Sequence, residues 1–326
     1  MSQPPEHQLV PYVAVRSLGS GTILVFAPHP DDETLGCGGA IMRHLEAGDT
    51  VKVIVVTDGA FGTPELRPGY QQTRRIETQA AAQILGYGEP VFWDLPDRGL
   101  VYEEALIERI RNAIEHCPAN LVYAPSWWEI HPDHSTLSLC VAEAIRRCTR
   151  QVSLLMYEVG APLPANRLLD ITDLNDRKQA AIRCFASQLA KQAYDQHIAA
   201  LNRFRTYTLP PCVQFAEAYH LVTGGELKTG SLDERFQHLN AIPLALLAQL
   251  RQPHGILEGK TEPSLEKLDL AAALDRDHQR RNPCEDVRSQ RLSDELDAIY
   301  RSSSWRLTAP LRAMARLLRG RRHFGT

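Results

Sequence analysis

Residues 22–57 read TILVFAPHPDDETLGCGGAIMRHLEAGDTVKVIVVT. The first six, Thr22 to Ala27, form a short apolar run rich in β-formers, as a buried strand requires. Glu33 to Ala47 then reads as a helix: Ile41 and Leu45 stand four apart, and Gly48 follows the end. Val51 to Thr57 is a second buried strand. The same alternation continues through residue 157. Helices are expected at Thr73 to Leu85, Glu103 to His116 and His134 to Arg147, and strands at Val91 to Trp93, Leu121 to Ala124 and Val152 to Tyr157. Near-continuous apolar strands alternating with helices predict an α/β fold, a Rossmann-like parallel sheet with helices on both faces. Ligands of such sheets bind beyond the carboxyl ends of the strands, so the residues after the first and fourth strands are where chemistry is expected.

Further along, Asp173 to Gln188 and Asp195 to Phe204 read as helices, and Val213 to Val222 as a last strand returning to the sheet. After Gly224 and Gly225 the character changes. Residues 1–225 are expected to form the catalytic domain and 226–326 a helical extension, with helices at Phe236 to Leu250, Leu265 to Ala273 and Leu292 to Tyr300.

Composition narrows the function classes. The chain has 326 residues, 44% hydrophobic and 23% charged, so a sizeable core can form. A net charge of -3 argues against a chain built as a whole for nucleic acid. No apolar stretch reaches membrane-spanning length, and the polar N-terminus has no signal-peptide core. Seven scattered cysteines, never in a C-x-x-C pair, fit reduced thiols and a cytoplasmic location.

Two runs carry the chemistry. The first strand leads into His29-Pro30-Asp31-Asp32-Glu33, and the fourth into Glu129-Ile130-His131-Pro132-Asp133-His134. Two histidines and a carboxylate with an open position are the ligand set of a catalytic zinc, which points to His29, Asp32 and His134. Other divalent transition metals accept the same donors. Asp31, next to a ligand, is the candidate general base. His131 is placed to stabilise an oxyanion or protonate a leaving amine, with Asp133 orienting it.

On these two motifs the sequence resembles the LmbE-like family, the PIG-L type zinc-dependent N-acetylglucosamine de-N-acetylases. The resemblance spans about residues 23–222. Arg74-Arg75-Ile76-Glu77, Leu95-Pro96-Asp97, Lys178 with Ser187-Gln188, and Ala216-Glu217 add weaker matches. It implies zinc on His29, Asp32 and His134, Asp31 as base, His131 as acid or oxyanion stabiliser supported by Asp133, and substrate contacts from Arg74 and Asp97. The implied activity is removal of the N-acetyl group from an N-acetylated amino-sugar conjugate in bacterial glycan or glycolipid biosynthesis.

Rival readings are a metal-dependent phosphoesterase, which needs about twice the ligands for its two ions, and a non-catalytic sugar-binding module. Nucleotide binding at Leu35-Gly36-Cys37-Gly38-Gly39 is disfavoured because Asp31, Asp32 and Glu33 would repel a pyrophosphate. The glycines instead suit close packing of the first helix on the sheet.

The end of the chain is basic. Residues 301–326 hold seven arginines and no acid. Leu311, Met314, Leu317 and Leu318 share one helical face, and Arg312, Arg316 and Arg319 another. Beside Trp305 this segment, 301–322, suits peripheral contact with an anionic membrane. Docking on the body or on a second subunit is the alternative, and an oligomer is left open. The Ser302 to Leu311 run also resembles tails of bacterial glycosyltransferases, which tilts the substrate toward a lipid- or nucleotide-linked sugar.

Overall fold

The computed structural model describes residues 10–61 and 67–229. The expected helices from Phe236 onward and the basic tail lie outside them. Among the described residues there are seven strands: β1 Thr22–Ala27, β2 Thr50–Thr57, β3 Val91–Leu95, β4 Leu121–Pro125, β5 Ser153–Tyr157, β6 Arg167–Asp170 and β7 Ala216–Val222. Helices are α1 Asp32–Glu46, α2 Arg67–Leu85, α3 Glu104–His116, α4 Pro132–Arg147, α5 Asn175–Ile182, α6 Ala186–Leu189, α7 Tyr194–Phe204 and α8 Gly224–Thr229. The sheet order is β3-β2-β1-β4-β5-β7-β6. β1 to β5 are parallel to one another, and β7 runs antiparallel to both β5 and β6.

This order makes β1 and β4 adjacent, with the chain winding outward to β2 on one side and β5 on the other. The switch point where a doubly wound sheet opens a crevice therefore lies between their carboxyl ends. Both His-Pro-Asp runs sit there.

Alternation along β1 builds the two layers. Leu24 and Phe26 pack with Ile107 and Ile110 of α3 and Leu137 and Val141 of α4. Ile23 and Val25 face the other way, onto Ile41 of α1, Ala82 and Leu85 of α2 and Ala181 of α5. Two sequence expectations shift. The helix expected over Asp173 to Gln188 is broken at Arg183 to Phe185, where Phe185 turns into the core at 1% exposure. Strand β6 was not expected: four residues following Pro162 and Pro164 carry too little pattern, and the strand exists by pairing with β7.

The glycines of α1 have the expected role. A Cβ on Gly36 would lie 2.2 Å from Tyr157 Cδ2, and one on Gly39 2.5 Å from Ile171 Cγ2. The helix also breaks its winding at Cys37, where φ is −139° and ψ 22°. The break frees the N–H groups of Gly39 and Ala40, which donate to Glu217 at 2.7 and 2.8 Å. Glu217 thus caps the second half of α1 from β7, and its charge is met by Lys178 Nζ at 2.7 Å. Replacing Gly36 by alanine should destabilise the fold by about 1–3 kcal/mol through overpacking. Tyr157 cannot swing aside, because its hydroxyl donates to Phe26 O at 2.9 Å. Urea unfolding measures this, and an unchanged midpoint would remove the close-packing role.

Candidate active site

The first run leaves β1 and enters α1 through Asp31, whose backbone has φ 149° and ψ −27°. That is glycine territory, and holding an aspartate there costs about 1–3 kcal/mol. Strain of this kind is kept where a side chain must be aimed. The second run enters α4, with His131 at the N-cap and Pro132 in the first turn. The Asp133 N–H donates to His131 Nδ1 at 3.2 Å. Nδ1 therefore acts as an acceptor, and in the neutral ring the proton sits on Nε2.

The three expected ligands converge. His29 Nδ1 lies 3.0 Å from Asp32 Oδ2 and 3.2 Å from His134 Nε2, and His134 Nε2 lies 3.1 Å from Asp32 Oδ2. All three residues are buried. Three donors of a tetrahedral zinc at about 2.1 Å stand about 3.4 Å apart, so this triangle is close to a preformed site. Two imidazole nitrogens and a carboxylate pointed at one spot need a cation between them. Burial opposes charge on His29, but Asp133, Asp32 and Asp97 raise it well above the usual histidine value. Burial also opposes charge on His134, yet Asp32 and Glu129 lift it to about 9. Burial would raise Asp32, but His134 and His29 hold it below the usual carboxylate range. Metal and protons compete for the same lone pairs.

Asp31 is differently placed. Burial pushes it up to about 6 against the pull of Arg74, whose guanidinium lies 3.1 Å from Asp31 Oδ2. A carboxylate near 6 is suited to accept and return a proton at neutral pH. His131 stands with its ring centroid 4.5 Å from that of His29 and 5.2 Å from that of His134. Burial lowers its pKa, and the charges on those two rings lower it further. A cation in their place would act in the same sense, leaving His131 neutral.

Three expected site residues have partners beyond those expected. Asp133 does not hold His131 through its carboxylate: Oδ2 accepts the Arg98 N–H at 2.7 Å and lies 3.2 Å from His29 Nε2, and Oδ1 accepts the Leu100 N–H at 3.2 Å. At the second position of α4 its side chain points back to the loop after β3 and faces His29. Arg74, expected on substrate, is 2% exposed, and its guanidinium donates to Pro30 O and pairs with Asp31. It lines the cleft and pairs there with Asp31. Asp97 lines the cleft, but its Oδ1 lies 3.3 Å from His29 Nε2, and its Oδ2 accepts the Phe61 N–H at 3.2 Å. His29 Nε2 thus faces two carboxylates, the arrangement that fixes a ligand's tautomer. His29, Asp97 and Asp133 also form a second donor set, beside that of His29, His131 and His134.

The weaker motifs meet in pairs. Glu77 accepts from the N–H and hydroxyl of Ser187, each at 2.7 Å, and Lys178 pairs with Glu217. They tie α2 to α6 and α5 to β7. The metal donors open into a cleft of about 570 Å³. Its wall also includes Glu129 and Ile130 of the second run, and Phe61, Arg98, Lys191 and Tyr194, which the sequence does not single out.

A family model described as PIG-L, GlcNAc-PI de-N-acetylase, matches residues 24–145. That stretch is similar to the PIG-L family. Within it fall both His-Pro-Asp runs. The chain is 28% identical over 192 residues to the diacetylchitobiose deacetylase of Thermococcus kodakarensis, covering 53% of this chain and 72% of that protein. It is 27% identical over 189 residues to the 4-oxalmesaconate hydratase of Pseudomonas putida, covering 51% and 73%. The solved N,N'-diacetylchitobiose deacetylase from Pyrococcus horikoshii has the same fold, with a TM-score of 0.57 at 23% identity, over 64% of this chain and 85% of that one. The relatives this chain resembles thus include both deacetylases and a hydratase.

Proposed function

We propose that this protein is a metal-dependent N-deacetylase acting on an N-acetylated amino-sugar conjugate, with zinc on His29, Asp32 and His134. The observation that carries the reading is the donor triangle, with a strained, buried carboxylate at the next residue. The deacetylase relatives support the amide as the bond cleaved.

A divalent cation held by the triangle supplies positive charge that acidifies water and polarises an amide carbonyl. Asp31, fixed by Arg74, takes the proton of the attacking water at its carboxylate oxygen. His131 donates Nε2–H to the carbonyl oxygen as that oxygen gains charge, which is worth about 10²–10³ in rate for a donor of this kind. The proton held by Asp31 is then available to the departing amine. Asp133 and Asp97 keep the Nε2 proton of His29 in place, so that its Nδ1 lone pair faces the cation.

The test is free-amine release across a panel of N-acetylglucosamine conjugates, with bound metal assayed in parallel. Amine release with one metal per chain is expected. Phosphate release from phosphoesters with two ions per chain would favour a phosphoesterase, the second ion sharing His29 with Asp97 and Asp133. Water addition to an unsaturated carboxylic acid without amine release would favour hydratase chemistry. Bound metal with no turnover of any kind would favour a sugar-binding module.

The proposal extends to the rest of the chain. Residues 1–225 act as the catalytic unit, and 226–326 as an extension whose basic 301–322 segment brings the enzyme to the inner face of a membrane carrying anionic lipid. The sequence pattern supports this. Among the described residues no helix is long and apolar enough to cross a membrane. Full-length protein is expected to bind anionic liposomes and a chain ending at Tyr300 to lose that binding. Equal binding would remove the tail from this role.

A further inference from the structure

Glu129 precedes the second motif, and its carboxylate is wholly buried. Among the described residues, neither lysine nor arginine pairs with it. Its Oε1 accepts the N–H groups of three successive residues, Val159 at 2.6 Å, Gly160 at 3.1 Å and Ala161 at 3.4 Å. Its Oε2 accepts from Gly160 at 3.0 Å and faces His134 Nδ1 at 3.6 Å. Successive amides turned inward make an anion-binding nest, which explains how the charge is tolerated without a cation. The close approach needs Gly160: a Cβ there would lie 3.1 Å from Oε2.

His134 Nδ1 is the second half of the argument. It is buried, and among the described residues no acceptor lies within hydrogen-bond reach. If Nε2 gives its lone pair to a metal, Nδ1 must carry a proton, and Glu129 is the acceptor facing it. The separation is about 0.4 Å beyond a direct hydrogen bond. Val159 and Gly160 also line the cleft. One carboxylate therefore touches both the substrate-facing wall and a metal ligand.

We infer that Glu129 is a positioning residue that fixes the Nδ1–H tautomer of His134 and ties this ligand to the loop after β5. The inference rests on reading His134 as a metal ligand, but its test needs no substrate. Metal-stripped full-length chain is titrated with zinc against a chromophoric chelator. Glu129→Gln keeps an oxygen for the loop amides and loses the charge facing His134. Zinc affinity is expected to fall about 10–100-fold, as for other carboxylates behind a ligating histidine. Gly160→Ala perturbs the loop and keeps the charge, so its zinc affinity is expected to stay within about threefold of wild type while KM rises, as a shifted cleft wall costs substrate positioning. Wild-type zinc affinity in Glu129→Gln, or an equal loss in both variants, would overturn the inference. Should Glu129→Gln fail to fold, the zinc-loaded wild type decides: nitrogen NMR of His134 must show a proton on Nδ1, and its absence would overturn the inference.

Discussion

Asp31→Asn is expected to lower kcat about 10²–10⁴-fold, the range for a lost general base, while zinc content stays at one per chain. The variant keeps the size of the side chain and its place beside Arg74, so the cleft keeps its shape. It removes the only expected function of a residue held at φ 149°. The neighbouring Asp32 cannot substitute, because its Oδ2 is turned into the donor triangle and held by both imidazoles. Steady-state kinetics with metal analysis of the same preparation decides the matter. Turnover within a few-fold of wild type would take Asp31 out of the mechanism, and loss of metal would make it a ligand.

His134→Ala is the second large effect. It removes one corner of the triangle and leaves Asp32 and His29 as the remaining donors. Stable zinc binding is expected to be lost, and turnover with it, since a catalytic zinc needs three protein ligands. His29→Ala should behave alike, with the further effect of leaving Asp97 and Asp133 facing each other without the ring between them. Equilibrium dialysis against zinc provides the measurement. Retention of one tightly bound zinc in His134→Ala would contradict the ligand assignment.

The convergence of the candidate donors is legible in the sequence because they ride on two plainly apolar strands. Thr22–Ala27 and Leu121–Pro125 are short apolar runs that no other element could accommodate, and each delivers its histidines and aspartates at a strand end. Their adjacency follows from the winding of the sheet, so convergence of His29, Asp32 and His134 needed only the fold class. What stayed hidden depends on groups far away in the chain. Nothing in His-Pro-Asp-His says that Asp133 will accept the N–H groups of Arg98 and Leu100, because those amides are presented by the loop after β3. Arg74 was read by resemblance as a substrate contact, and only the packing of α2 against the β1 loop turns it onto Asp31. Glu129 needed the β5 loop in place before its three amides were visible. Strand β6 and the break at Phe185 were hidden for a related reason: both are decided by partners in the sheet and core.

The central claim is a single cation shared by His29, Asp32 and His134. Anomalous diffraction at the zinc edge from zinc-loaded crystals tests it directly. One peak is expected, coordinated by His29 Nδ1, Asp32 Oδ2 and His134 Nε2. A peak instead on the far side of the His29 ring, coordinated by Nε2 with Asp97 and Asp133, would contradict it.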